Sequence, residues 1–244
     1  LVLDAGDVNT GVPESDLMDA VPDFEAMNAI GYQAMALGNH EFDRGRETLL
    51  RQRGIARFPF LSANVLVEAT GEPLVQASLV LEKAGLRVGI LGLTTESAAF
   101  ITLPENRAGL RFEPALEAAA REVPRLRARC DLVVALTHLG YYPNGAFGTS
   151  TPGDVNLVRA VPGIDVVVGG HTHTPLDAPI LDSGAIIVQA QDRGRFVGRL
   201  DLLLDDQKKI VRHEARLLPV IVEDPTDPAL AVPEDAGIVD VVKP

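Results

Sequence analysis

The chain has 244 residues, 46% of them hydrophobic and 23% charged, the make-up of an ordinary globule long enough for one substantial α/β domain with a buried core. Its net charge of −12 and the absence of any basic run argue against a nucleic-acid-binding surface, which needs clustered Lys and Arg. No apolar stretch exceeds strand length, so no membrane span is expected.

Leu1–Leu3 reads as a strand, followed by a loop containing Asn9, Thr10, Gly11 and Pro13. A helix is expected over Asp23–Ile30, where Phe24, Met27 and Ile30 recur at helical spacing behind Pro22. Ala34–Leu37 is a short strand, Gly45–Arg53 a helix and Phe58–Ala63 an extended segment. Leu74–Leu81 and Leu86–Leu93, joined by Glu82-Lys83-Ala84-Gly85, read as a β-hairpin. Pro114–Arg129 is a helix, and Leu132–Leu136 the strand after it. The lone Cys130, just ahead of that strand, cannot form an internal disulfide and is expected to be a buried, inert thiol. A polar loop over Gly140–Pro152 leads to a helix at Asp154–Ala160. Strands at Ile164–Val168, Ala185–Gln189, Gly198–Leu204 and Ile210–Ala215 complete the pattern. Alternating βα units with late β-hairpins imply an α/β protein: a four-layer α/β/β/α sandwich, two mixed sheets flanked by helices.

Four of the five histidines and one aspartate follow apolar runs. Leu1–Leu3 runs into Asp4-Ala5-Gly6-Asp7, and Ala34–Leu37 into Gly38-Asn39-His40-Glu41. Leu132–Leu136 runs into Thr137-His138, and Val166–Val168 into Gly169-Gly170-His171-Thr172-His173. Ligands bind beyond the carboxyl ends of buried α/β strands, so these groups converge on one rim. A carboxylate, an amide oxygen and several imidazoles at one place suit a transition metal such as Mn, Zn, Co or Ni. Taken singly the signals are weak. Gly6-Asp7 is equally a turn, Asn39-His40 a hydrogen-bonded turn and His138 a satisfied core imidazole. Gly-Gly-His-x-His is the strongest, because two imidazoles one residue apart in an extended loop share a side.

The joint order of Gly-Asp, Gly-Asn-His-Glu, Thr-His and Gly-His-x-His resembles the calcineurin-like metallophosphoesterase superfamily. Within it, residues Gly6–Asp16, Gly38–Asp43, Pro59–Asn64, Gly92–Thr95 and Ala190–Gly198 resemble the bacterial 5′-nucleotidase/UDP-sugar hydrolase family over almost the whole chain. That resemblance implies a hydrolase of 5′-nucleotides or UDP-sugars that uses two divalent metal ions and in-line attack by a hydroxide bridging them. It assigns Asp7 as the bridging carboxylate, Asn39, His138 and His171 as the other ligands of one metal, and His173 as a ligand of the second. It assigns His40 to transition-state stabilisation and Asp43 to orienting His40. It also implies a periplasmic or other extracytoplasmic location. No substrate-binding residue is singled out, and oligomeric state is not readable.

The family's Asp-x-His motif, which supplies two further ligands of the second metal, does not occur before Asp7. The chain is expected to be an excerpt that by itself binds one metal tolerably and is a weak or inactive catalyst. Residues 1–222 would form the catalytic domain without its first strand, and the Asp-, Pro- and Ala-rich residues 223–244 a linker toward a C-terminal domain. Two other readings stand beside the hydrolase: a catalytically impaired metal-binding module, and a thiosulfohydrolase-like enzyme of the same fold. Tyr141 and Tyr142 either line the pocket mouth or pack the loop, and Arg193 and Arg195 are expected to be solvated charges.

Overall fold

The computed structural model describes residues 1–144, 146–147, 151–220 and 232–242. The first part of the chain runs β1 (Leu3–Asp4), α1 (Pro13–Leu17), α2 (Val21–Ile30), β2 (Ala34–Ala36), a 3₁₀ turn at His40–Phe42, α3 (Gly45–Ile55) and β3 (Phe60–Leu61). Next come β4 (Val65–Val67), β5 (Ser78–Lys83), β6 (Leu86–Thr94), α4 (Ala98–Ile101), β7 (Leu110–Phe112), α5 (Ala115–Arg127) and β8 (Leu132–His138). The remainder is β9 (Ala146–Phe147), β10 (Thr151–Pro152), α6 (Asp154–Ala160), β11 (Val166–Gly169), β12 (Ile180–Asp182), β13 (Ala185–Gln189), β14 (Phe196–Leu204), β15 (Ile210–Pro219) and α7 (Ala236–Val242).

Two sheets carry the site. A small one has the order β1-β2-β3 with every pairing parallel. The larger has the order β12-β13-β11-β8-β6-β5 and is mixed: its four central strands are parallel, and β5 and β12 are antiparallel edges. The antiparallel ribbon β14–β15 lies against the inter-sheet layer through Leu200, Leu202, Leu204 and Ile210.

Alternation along buried strands builds three apolar layers, as period-two side chains require. In β8, Val133 and Ala135 join Ala118, Ala119, Val123 and Leu126 of α5, while Leu132, Val134 and Leu136 face the small sheet. In β2, Ala34 and Ala36 face the large sheet, while Met35 packs with Phe24 and Met27 of α2 and Leu49 of α3. Helices, small sheet, large sheet and helices therefore form four layers. α5 reads cleanly from sequence because Ala115, Ala118, Ala119, Val123 and Leu126 bury one helical stripe. Cys130 is buried, and desolvation pushes its thiol up, as expected of an inert cysteine.

The hairpin forms at β5–β6, pairing Ser78 with Leu91 through to Lys83 with Leu86 around Ala84-Gly85. Leu74 is not part of it; its N–H donates to Val65 O instead. Of the stretch 223–244, residues 223–231 and 243–244 lie outside the described residues, and α7 lies against α2. Of the polar loop 140–152, residues 145 and 148–150 also lie outside them. No helix among the described residues is long and apolar enough to cross a membrane.

The sheets touch most closely at Gly92 of β6, where an added Cβ would drive into the backbone of Leu61 in β3. Gly92→Ala is therefore expected to cost about 1–3 kcal/mol through overpacking, despite alanine's lower chain entropy. A urea titration checks it, and an unchanged midpoint would mean that the two sheets can separate freely there.

Candidate metal centre

Both sheets end their parallel strands at one rim. Asp7 follows β1 and Asn39 follows β2, while His138 is the last residue of β8 and His171 follows β11. The loops meet backbone to backbone. Gly6 has φ +94°, and a Cβ there would lie 2.6 Å from Gly38 N. One on Gly38 would meet the Asp7 carboxylate. Only glycine permits both the dihedral and the approach.

Carboxylate and imidazole atoms of Asp7, His138 and His171 lie within 4.8 Å of one another. His138 is 1% exposed, and its Nδ1–H donates to Ala5 O at 2.7 Å, which directs the Nε2 lone pair at the cluster. Nε2 lies 2.8 Å from Asp7 Oδ2 in an ion-pair contact and has no other partner among the described residues. Asp7 Oδ1 accepts the His40 backbone N–H at 2.8 Å. Asn39 is 5% exposed, and its Oδ1 is likewise buried without a partner.

A buried amide oxygen without a partner, on the loop that donates to Asp7 and next to a buried imidazole–carboxylate contact, costs free energy unless a cation completes it. The donor set of one carboxylate, one amide oxygen and two imidazoles fits a borderline divalent metal. Electrostatics agree. Burial and the neighbouring His138 hold the His171 imidazole down at about 4, so it is a neutral donor at neutral pH. Burial disfavours charge on His138, yet the Asp7 carboxylate outweighs it and raises the imidazole's pKa. Burial opposes charge on Asp7 too, and His138 overcomes it to lower the carboxyl. The two groups thus stabilise each other's charged forms, and a metal ion bound there would replace any proton on Nε2.

Backbone strain converges here as well. Asp7, His171 and His173 hold φ of 67°, 73° and 53°, left-handed values that side chains rarely adopt. His173 stands outside the trio, 59% exposed, with Nδ1 3.6 Å from Asp192 Oδ2. His40 turns beside the cluster, and its Nδ1 pairs with Asp43 Oδ2 at 2.6 Å. Burial lowers the His40 pKa, but the Asp43 hydrogen bond and the Asp7 charge outweigh it, so the net shift is upward. Thr10 Oγ–H donates to the same Asp43 oxygen at 2.6 Å.

Glu41 and Asp154 were among the residues that sequence reasoning missed. Glu41 is fully buried, and its carboxylate accepts N–H groups from Asp7, Val8, Asn9 and Gly38, clasping the β1 and β2 loops together. Burial pushes its carboxyl above the usual range and the Asp7 charge adds to the rise. Asp154, at the start of α6, accepts Thr137 Oγ–H at 2.6 Å behind His138, and burial pushes it up to about 7. Tyr141 packs against the α5 layer, its N–H donating to Thr172 Oγ, so it serves loop packing. Arg193 and Arg195 are exposed and face Asp192.

Fold and rim together define a layered α/β protein with a metal-ready centre at the carboxyl ends of strands from two sheets. The chain belongs to the calcineurin-like phosphoesterase family, whose model matches residues 1–175. It is 43% identical over 222 residues to a 5′-nucleotidase of Vibrio cholerae, covering 82% of this chain and 40% of that protein. Among solved structures, a 5′-nucleotidase precursor from Thermus thermophilus superposes with a TM-score of 0.84 at 31% identity, covering 99% of this chain and 48% of that one. The Thermus thermophilus sulfate thiohydrolase SoxB gives the same TM-score at 25% identity, covering 99% and 41%. The chain spans less than half the length of each of these three relatives.

Proposed function

We propose that this chain supplies the metal-binding, catalytic part of an extracytoplasmic phosphohydrolase acting on nucleoside 5′-phosphates or UDP-sugars. The observation that carries this reading is the cluster of Asp7, His138 and His171, with the buried, unpartnered Asn39 Oδ1 on the loop that donates to Asp7 and with the His40–Asp43 pair on that same loop. Asp7, Asn39, His138 and His171 would hold one divalent cation, and Asp7 with His173 would contribute to a second. Such cations supply Lewis-acid polarisation of a phosphoryl oxygen and neutralise its charge. The residues do the rest. Asp43 anchors Nδ1 of His40, leaving Nε2 as the ring nitrogen that donates to negative charge developing on the phosphoryl or leaving oxygen. Thr10 fixes Asp43, and Asn106 Nδ2 donates to the Asp43 carbonyl at 2.6 Å, so the pair is held from two sides. Glu41 keeps Asp7 and Asn39 on converging loops.

The greater identity to the two nucleotidases favours a phosphate ester over a sulfur ester. The full-length, manganese-loaded protein is expected to release phosphate from AMP, or UMP and sugar phosphate from UDP-glucose, and to leave thiosulfonates intact. The converse preference would overturn the reading. Chelation should abolish turnover, and Mn²⁺ at 100 times its Kd should restore it while adding about 2.7 kcal/mol of stability. A melting midpoint indifferent to Mn²⁺ would count against a cation at these residues.

A further inference from the structure

Gln189 ends β13 directly opposite Gly169 of β11, the residue from which the His171–His173 loop departs. It is 3% exposed and spends its whole amide on that loop. Its Nε2 donates to Gly170 O at 3.0 Å, and its Oε1 accepts Thr174 N–H at 2.6 Å and Thr172 Oγ–H at 3.0 Å. The residues gripped are 170, 172 and 174; the residues between them are the two histidines. Both of those histidines hold left-handed backbone, which persists only where surrounding contacts over-determine it.

We infer that Gln189 is the positioning residue of the metal centre: by holding every second residue of the loop, it forces His171 and His173 into the left-handed turns that present their imidazoles to a cation. A single amide can do this because it offers donor and acceptor on one rigid plane, matched here to one carbonyl, one N–H and one hydroxyl. Thr172 passes the restraint on, since its Oγ also accepts Tyr141 N–H at 3.0 Å and Thr174 Oγ–H at 2.9 Å. The loop is thereby tied to the segment that follows His138. The inference rests on the proposed role of His171 and His173 toward a divalent cation.

Co²⁺ tests it, because its d–d absorption reports ligand geometry apart from turnover. Gln189→Leu is expected to weaken Co²⁺ binding 10–100-fold and to change the d–d band shape, as loss of an outer partner does. Gln189→Glu keeps the oxygen for Thr172 and Thr174 but sets a second oxygen against Gly170 O; it should fall between wild type and Gln189→Leu, and it carries the test if the leucine variant does not fold. A merely structural role would lower the melting midpoint of the metal-free chain and leave the Co²⁺ Kd and spectrum, read far below that midpoint, as in wild type. That outcome in the folded variants overturns the inference while leaving the metal centre standing. Failure of the wild-type chain to bind Co²⁺ overturns both.

Discussion

Asn39→Ala is expected to lower phosphate release by about 10³-fold or more while leaving the metal-free protein as stable as wild type. The two halves of that result come from one fact: Asn39 Oδ1 is buried and has no partner, and no side-chain hydrogen bond of Asn39 occurs among the described residues. Removing it breaks nothing in the metal-free centre and relieves an unsatisfied acceptor, so the change in unfolding free energy should stay within about 1 kcal/mol. With a cation bound the account reverses. A Lewis acid contributes several kcal/mol to charge stabilisation, and each 1.36 kcal/mol is about tenfold in rate, so losing one of four donors reaches about 10³. His171→Ala should behave alike, since among the described residues its imidazole makes no hydrogen bond and a ring contact with His138 at 5.0 Å between centroids. Phosphate release under saturating Mn²⁺ and urea unfolding in chelator measure the two halves separately. Near-wild-type turnover by either variant would sink the site assignment; a marked loss of metal-free stability would show these side chains to be structural.

Much of the frame was legible because both faces of the central strands are buried. Leu132–Leu136 and Val166–Val168 read as unbroken apolar runs, and such runs occur where a sheet is covered on both sides. The loops beyond them were legible for the same reason: atoms of Asp7, His138 and His171 lie within 4.8 Å of one another, and the loop bearing Asn39 donates to Asp7. What escaped was held by the backbone. β4 and β7 are three residues each and pair across more than forty residues of chain, too short for any periodicity to register. The left-handed backbone at Asp7, His171 and His173 had only a weak cue, because such turns are anticipated first from glycine and much less often from Asp or His. Glu41 and Gln189 were invisible as functional residues because their partners are mostly main-chain groups, which have no residue type to match.

Glu41 therefore supplies the sharper contrast: Glu41→Gln, nearly isosteric, is expected to cost about 2–4 kcal/mol of stability and most of the metal affinity together. Oε2 accepts Asp7 N–H at 2.9 Å and Gly38 N–H at 2.6 Å, while Oε1 accepts Val8 N–H at 2.8 Å and Asn9 N–H at 3.4 Å. The successive N–H groups of Asp7, Val8 and Asn9 form an anion-binding nest, its curvature set by the left-handed φ at Asp7. A carboxylate satisfies both pairs of donors; an amide cannot. Whichever way the substituted amide is turned, its NH₂ faces two N–H donors, and each buried group left without an acceptor costs about 1–3 kcal/mol. The β1 and β2 loops would then part, and with them Asp7 and Asn39. Unlike Asn39→Ala, this variant should show its defect in chelator, as a lowered urea midpoint, before any metal is added. A wild-type midpoint with wild-type Mn²⁺ affinity would mean that the glycine contacts alone hold the two loops, and that the buried carboxylate only fills space between them.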